Sequence, residues 1–461
     1  MKSGIRRALN VHGGPRMLVA GSAGLVIAAI FATGILASAS QPARTRATAA
    51  PAPPKKNLLL GGSSYTGKAT KKPVIKLGLI TDVSGVAGGF GPGQVKALLM
   101  MAALANADGG IMDHPVKVDI KDDKFDASLA TTDIQSMVRT FKPNVIFGPA
   151  SSGSLLAEAP VADQAKIPLI AEAAGDFRFT DQQGGILHGE VSATSEMDAC
   201  GFAKFMGTKH PEWKRVAVLI PQFSYGTDFD NDFARCLKLY DKGAQIVTTK
   251  NYQLTDTNYL PYITALQSTH PDFMMTVVFG SGAVQFYKQY IGAGGSVPMA
   301  ALIDLDAAKG FGNNIKPHFV YGFARALYTE LPATASAWIK AFEKKYNTEP
   351  NDYAITGISA FLAYKAAVEK ANSFSPLAVM RAFRCMTYYE PRGWVKIRTL
   401  NGQADIPEYF GALKADAKLG HPRFDPTDRE VIPAHEIWQS DAAVKAVAPK
   451  SALMSTSQCG K

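Results

Sequence analysis

Residues 145–174 read VIFGPASSGSLLAEAPVADQAKIPLIAEAA, and the order of their patterns decides the fold. An apolar run over 144–148 stops at Gly148-Pro149. Serines follow at Ser151, Ser152 and Ser154, a helical pattern covers 154–165, and a second apolar run occupies 167–171. Strand, serine-rich loop, helix and strand make a parallel crossover unit, in which the helix carries the chain back over the sheet. Hydroxyls and free backbone N–H groups at the start of that helix make a ready site for a carboxylate or similar anion.

Outward from this unit the alternation continues in both directions. Apolar, β-branched runs fall at 74–80 (VIKLGLI), 116–120 (VKVDI), 215–220 (RVAVLI), 244–249 (AQIVTT), 272–280 (DFMMTVVFG) and 298–303 (PMAALI). Helical patterns between them cover 94–107, 127–140, 225–239, 259–268 and 283–292. Two successive strand–helix series predict an α/β chain with two doubly wound, Rossmann-like lobes. Helices at 332–346, 354–371 and 376–385 are expected to return and complete them. The tail over 392–461 reads as irregular, with one strand at Gly393–Ile397.

The 461 residues are 47% hydrophobic, which excludes a disordered chain, and only 4 are Cys, which excludes a small disulfide scaffold. At roughly 100–200 residues per domain, the length fits two or three domains. The net charge of +10 is unevenly placed: residues 1–72 carry eleven basic side chains and no acidic one. The remainder holds 38 of the 49 basic residues against all 39 acidic ones, so the body is nearly neutral. The basic excess belongs to the N-terminal segment and gives no support to nucleic-acid binding.

Lys2, Arg6, Arg7 and Arg16 precede an uncharged run over 17–37, and the small-residue sequence Ala37-Ser38-Ala39 follows. That order marks residues 1–39 as an export signal peptide, or as a retained membrane anchor, since about 20 apolar residues also span a bilayer. Either outcome places the body outside the cytoplasm. Residues 40–72, rich in Pro, Gly and Lys, read as a flexible tether. All four cysteines lie in the exported body, where disulfides form. Of the three connectivities, Cys200–Cys236 with Cys385–Cys459 joins segments expected to be close; buried free thiols are the alternative.

Open α/β sheets bind ligands beyond the carboxyl ends of their strands. Besides the serine loop, this rule selects the segment 81–91 with its aromatic Phe90, and the segment 221–226 with Tyr225 at a helix start. Two facing lobes would set these loops on opposite walls of one cleft.

The chain resembles the leucine/isoleucine/valine-binding family of extracytoplasmic solute receptors, type I periplasmic binding proteins that serve ABC importers. The residues carrying the resemblance are IKLGLITDVSG and GFG within 75–91, ANADGGI and KVDIKDDKFD within 105–126, the 145–174 stretch, RVAVLIPQFSYG at 215–226 and PDFMMTVVFG at 271–280. It implies two lobes joined by three crossover strands near 190, 320 and 390. Lobe 1 is then 73–191 with about 321–390, and lobe 2 is 192–320 with about 391–461, including the C-terminal tail. It further implies a monomer, without cofactor or catalysis, that closes by hinge motion on a small solute and delivers it to a membrane permease. The solute class is an amino acid, an amide or a small carboxylate.

Carried onto this sequence, the carboxylate-binding serine falls on Ser152, beside Ser151. The aromatic walls fall on Phe90, Tyr225 and Phe279, and an acidic partner for a ligand ammonium falls on Asp304. Where amino-acid-binding members carry a hydroxyl, this chain has the pair Ala174-Gly175, so that donor is missing. Phe90 and Phe279 stand where tyrosines are common. These departures weaken the case for a branched-chain α-amino acid and suit an aromatic or aliphatic carboxylate or an amide. Each residue also has a structural reading: Ser152 as a helix cap, Tyr225 as a surface aromatic, Phe90 and Phe279 as core, Asp304 as a turn or cap. A membrane-tethered sensor of the same fold is the alternative function.

Catalytic and cofactor patterns fail on inspection. Gly89-Phe90-Gly91-Pro92-Gly93 lacks the spacing of a dinucleotide loop. Asp228, Asp230 and Asp232 begin like a calcium loop, but Phe233 and Leu239 stand where Gly and Glu are required. His435-Glu436 lacks the second histidine of a zinc protease motif, so neither a metal site nor an enzyme is expected.

Overall fold

Strands β1 (Ile75–Thr81), β2 (Val116–Asp122), β3 (Val145–Phe147), β4 (Leu169–Ala171) and β5 (His188–Glu190) alternate with helices α1 (Phe90–Ala107), α2 (Ala127–Thr140) and α3 (Ser152–Ala165) in the computed structural model. The structure describes residues 51–62 and 72–459; the expected export segment 1–39 lies outside the described residues. The five strands form one parallel sheet in the order β2-β1-β3-β4-β5. Six of the seven residues of β1 are buried, as suits a strand covered by helices on both sheet faces. Helix α2 shows how sequence sets such a cover. Asp126 caps its start by accepting the N–H groups of Ser128 (2.8 Å) and Leu129 (2.9 Å), and Ala130, Ile134 and Met137 form its buried stripe.

The chain then enters the second lobe through α4 (Ser195–Lys209). It continues as β6 (Arg215–Pro221), α5 (Ser224–Tyr240), β7 (Gln245–Tyr252), α6 (Leu260–Gln267), β8 (Phe273–Thr276), α7 (Gly280–Gly292), β9 (Met299–Leu302), α8 (Leu305–Phe311) and β10 (Val320–Ala324). It returns to the first lobe as α9 (Ser336–Tyr346), the long buried α10 (Asp352–Ala371) and α11 (Pro376–Arg384). A small antiparallel sheet follows, built from β11 (Thr387–Glu390), β12 (Gly393–Ile397) and β13 (Ala404–Asp405), and Gln403 bridges it to Glu190. The chain passes back as β14 (Pro407–Lys414) and β15 (Arg423–Pro433), and α12 (Asp441–Val447) precedes the C-terminal turns. The second sheet runs β15-β14-β10-β9-β8-β6-β7.

Several expectations are corrected here. Strand β10 pairs with β9 and β14, so residues 321–324 belong to the second lobe and the return begins after Ala324. The segment 392–461 is not irregular, because β14 and β15 complete the second sheet. Their signal is hidden in the sequence: β14 is buried almost throughout and shows no polar alternation, and edge strand β15 carries Pro426, Pro433 and three aspartate or glutamate positions that read as loop. Residues 51–62, expected as flexible tether, pack on the first lobe. Leu60 is buried, Trp338 Nε1 donates to the Leu59 carbonyl (3.1 Å), and Trp394 Nε1 donates to the Pro51 carbonyl (2.8 Å). Three consecutive leucines in a polar stretch supply the apolar surface that holds it there. Disulfides join Cys200 to Cys236, stapling α4 to α5, and Cys385 to Cys459, pinning the C-terminal turns beside α11. No helix among the described residues is long and apolar enough to cross a membrane.

Candidate functional site

The loops that follow the strands of both sheets meet in one slot between the lobes. From the first lobe it is lined by Phe90, Phe125, Ala150, Ser152, Ala173 and Gly175, with Tyr353 from the start of α10. Phe223, Tyr225, Phe279, Leu302 and Arg325 line it from the second. The centre of a water-sized sphere can move through ≈ 30 Å³ of this slot, so its walls stand close together.

The anion-binding end is built by local chain geometry. Gly148 ends β3 at φ 103°, and a Cβ there would meet the Ile80 carbonyl oxygen at 2.1 Å, so only glycine lets the loop turn this close to β1. Ser151 caps α3 by accepting the Ser154 N–H at 3.3 Å. Ser152 is then the first helical residue, 2% exposed, with its hydroxyl at the slot. Neither that hydroxyl nor the N–H groups of Ser152 and Gly153 make a hydrogen bond among the described residues. Unused donors at the positive end of a helix suit a carboxylate.

The walls are aromatic. Phe90 lies 5.3 Å from Phe279 across the cleft and 4.0 Å from Tyr353, and Phe125 meets Phe223 at 5.5 Å. Ion pairs flank them, Arg178 with Asp228 (2.8 Å) and Lys309 with Glu349 (2.8 Å), each reaching from one lobe to the other. The lobes are therefore closed on the slot.

Its floor is charged. Arg325, directly after β10, forms an ion pair with the fully buried Asp198 of α4. Its Nη1 donates to the Ala173 carbonyl (2.8 Å), and Tyr225 donates its hydroxyl to Asp198 (2.7 Å). The guanidinium lies 5.6 Å from the centre of the Tyr225 ring. Burial works against the Arg325 charge, but Asp198 outweighs it and holds the guanidinium protonated. Burial, reinforced by Asp198, pushes the neighbouring Glu408 carboxyl well above its ordinary range.

Of the residues expected from sequence, the slot brings together Phe90, Ser152, Gly175, Tyr225 and Phe279. Three stand elsewhere. Ser151 is spent on its cap. Ala174 donates its N–H to the Pro149 carbonyl (2.9 Å) and packs in the first lobe's core. Asp304 caps α8, accepting the Ala307 N–H at 2.7 Å, and borders an outer pocket of ≈ 290 Å³ instead of the slot. Burial raises its carboxyl to about 7 and that of Asp352 to about 8, the latter helped by Asp304. Sequence reasoning missed Phe125, Phe223, Tyr353, Asp198 and Arg325. The first two lie inside motifs already singled out: in PQFSYG Tyr225 was noticed and Phe223 passed over, and in KVDIKDDKFD the one aromatic, Phe125, was not noticed. Arg325 and Asp198 carry no local signal, because their pairing spans 127 positions. No group of side chains among the described residues could hold a metal ion.

A profile of the periplasmic binding protein family matches residues 74–418. The "Leu/Ile/Val-binding protein homolog 7" of Brucella abortus is 23% identical over 335 residues, covering 68% of this chain and 82% of that protein. Among solved structures, a solute binding protein of an ABC transporter from Rhodopseudomonas palustris BisB5, in complex with 3,4-dihydroxy benzoic acid, superposes with a TM-score of 0.70 at 20% identity. It covers 79% of this chain and 98% of that one. The branched-chain amino acid transporter substrate binding protein LivJ of Streptococcus pneumoniae, in complex with isoleucine, gives a TM-score of 0.66 at 20% identity, covering 78% and 99%. The matched span covers the first lobe's sheet, the second lobe's sheet up to β14 and every loop of the slot, and the chain belongs to the periplasmic binding protein family.

Proposed function

We propose that this protein is the exported solute receptor of an ABC importer of the branched-chain amino acid type, working as a monomer. It captures a small carboxylate, or the corresponding amide, and hands it to a membrane permease. The observation that carries this reading is the unused donor set of Ser152 and Gly153 facing an aromatic slot between two lobes. A carboxylate docks on the helix start, its carbon skeleton lies among Phe90, Phe125, Phe223 and Phe279, and closure buries it from water. Both ligands named for the structural neighbours, 3,4-dihydroxy benzoic acid and isoleucine, carry a carboxylate on an apolar body, which supports the same division of labour here.

The test is a thermal-shift screen of the full chain against aromatic and aliphatic carboxylates, amides and α-amino acids, followed by titration calorimetry of each hit. A ligand at 100 times its Kd stabilises the fold by about 2.7 kcal/mol. One saturable site, weakened by Ser152→Ala, is expected. A hit whose affinity Ser152→Ala leaves untouched would place capture elsewhere and end this reading.

A further inference from the structure

On the floor of the slot the Asp198 carboxylate, the Ala173 carbonyl and the Ser192 hydroxyl, the acceptors around Arg325, already face donors. Asp198 Oδ1 takes Arg325 Nε at 3.3 Å; Asp198 Oδ2 takes Nε at 3.2 Å, Nη2 in the ion pair, and the Tyr225 hydroxyl at 2.7 Å. Arg325 Nη1 donates to the Ala173 carbonyl at 2.8 Å and to Ser192 Oγ at 3.4 Å. A second observation is the packing of Gly175 against the same guanidinium. A Cβ on Gly175 would meet the Ala193 carbonyl oxygen at 2.5 Å and Arg325 Nη2 at 2.8 Å, so a backbone carbonyl and the guanidinium together close the space for a side chain at 175. The glycine and the arginine, 150 positions apart in the chain, are cut to fit each other.

We infer that Arg325 is a built-in cation occupying the amine subsite of this cleft, so that the protein selects carboxylate solutes lacking an amino group. The inference rests on the reading of the slot as a carboxylate-binding site. A ligand ammonium placed on this floor finds the Asp198 carboxylate and the Ala173 carbonyl engaged by Arg325, and must compete with a guanidinium already in place for the one negative charge there. The other acids near the slot offer no alternative. Asp304 is committed to the N-terminus of α8 and faces the outer pocket, and burial pushes the Glu408 carboxyl toward its neutral form. A carboxylate faces the opposite situation, with the Ser152 helix start at one side and a guanidinium at the other. Arg325 is thus a specificity-determining residue, and Gly175 is what admits it.

Solute pairs that differ only in the amino group test this on the full chain: 3-phenylpropanoate against phenylalanine, and 4-methylpentanoate against leucine, by titration calorimetry. In the wild type the amine-free member of at least one pair is expected to bind about 100-fold tighter or more than its amino counterpart. An amino acid that binds as tightly as its amine-free partner overturns the inference and leaves the carboxylate reading standing. No binding by any of the four, or by benzoate, at millimolar concentration overturns the carboxylate reading and the inference with it. Arg325→Ala vacates the acceptors, and the preference is expected to shrink at least about tenfold, with free guanidinium ion restoring it. A merely structural arginine would instead weaken both members of a pair equally. If Arg325→Ala does not fold, Arg325→Gln reads the same ratio with a neutral donor in place.

Discussion

Ser151 and Ser152 are adjacent, both buried, and on this structure they do different work, which makes them a sharp pair of perturbations. Ser151 accepts the Ser154 N–H at 3.3 Å and caps the start of α3; its substitution by Ala removes a helix cap, worth about 1 kcal/mol of stability and toward the lower half of the usual range for so long a bond. The Ser152 hydroxyl makes no hydrogen bond among the described residues, and the residue lines the slot. Its replacement by Ala should leave the unfolding free energy within about 0.5 kcal/mol. It should instead remove a hydrogen bond to a charged ligand, about 1.5–3 kcal/mol, which is a 10- to 150-fold weaker Kd at about 1.4 kcal/mol per tenfold. Urea unfolding without ligand and calorimetric titration with benzoate separate the two effects. The reasoning is refuted if Ser151→Ala changes affinity as much as Ser152→Ala, or if Ser152→Ala acts on stability alone.

Three further outcomes follow from the same structure. Phe279→Ala removes the 5.3 Å contact with Phe90 across the cleft and part of the ligand wall; affinity for benzoate should fall about tenfold, and the Phe90/Phe279 double-mutant cycle should show a coupling of about 0.5–1.5 kcal/mol, whereas strict additivity would deny the contact. Burial raises the Glu172 carboxyl to about 8 from its ordinary 4.5, so the fold keeps a proton that the unfolded chain releases; the stability this contributes is complete below pH 4.5 and is lost as pH rises toward 8, at up to about 1.4 kcal/mol per pH unit. Glu172→Gln should flatten that slope in urea unfolding between pH 5 and pH 8, and an unchanged slope would contradict it. Replacing Cys385 and Cys459 by Ser frees a 74-residue separation, which chain entropy places at about 4 kcal/mol, and an unshifted urea midpoint would mean the C-terminal turns contribute nothing to the cooperative unit.

Strands β1 to β4 and β6 to β9 were legible because each contains a short apolar run bounded by turn residues, and helices such as α2 because their buried stripes keep a 3.6 period, as Ala130, Ile134 and Met137 do; the three-residue β5, HGE, carries no such run, and β10 and α4 were not read locally. The signal failed where sheet and sequence stop agreeing. Strand β14 lies between β10 and β15, so PEYFGALK is buried on both faces, while β15 at the edge intersperses Pro, Asp and Glu among its few buried apolar residues, Phe424 and Ile432. The site divides the same way. Ser152 and Tyr225 begin helices directly after strands, a position local sequence reveals. Gly175 was noticed only as a missing hydroxyl; the groups that fill the space of its side chain are the Ala193 carbonyl and the Arg325 guanidinium, and the latter arrives from a strand end 150 positions later, which one-dimensional pattern cannot place.

The groups that set the charge of the floor also stand where the chain passes between lobes. Asp198 lies in the first helix after one passage, Arg325 directly at the exit of β10, and Glu408 at the second position of β14. A ligand shifts closure only by the difference between its contacts in the closed and open states, so residues at these passages act on affinity in two ways, by touching the solute and by changing how favourable closure is without it. Affinity alone mixes the two. Both members of a matched pair, an acid and its amino counterpart, require the same closed lobes, so the closure contribution cancels in their ratio and what remains is the reading of charge on the floor. For Asp198, Arg325 and Glu408 it is therefore the ratio, and not the loss of binding, that distinguishes a hinge residue from one that chooses the solute.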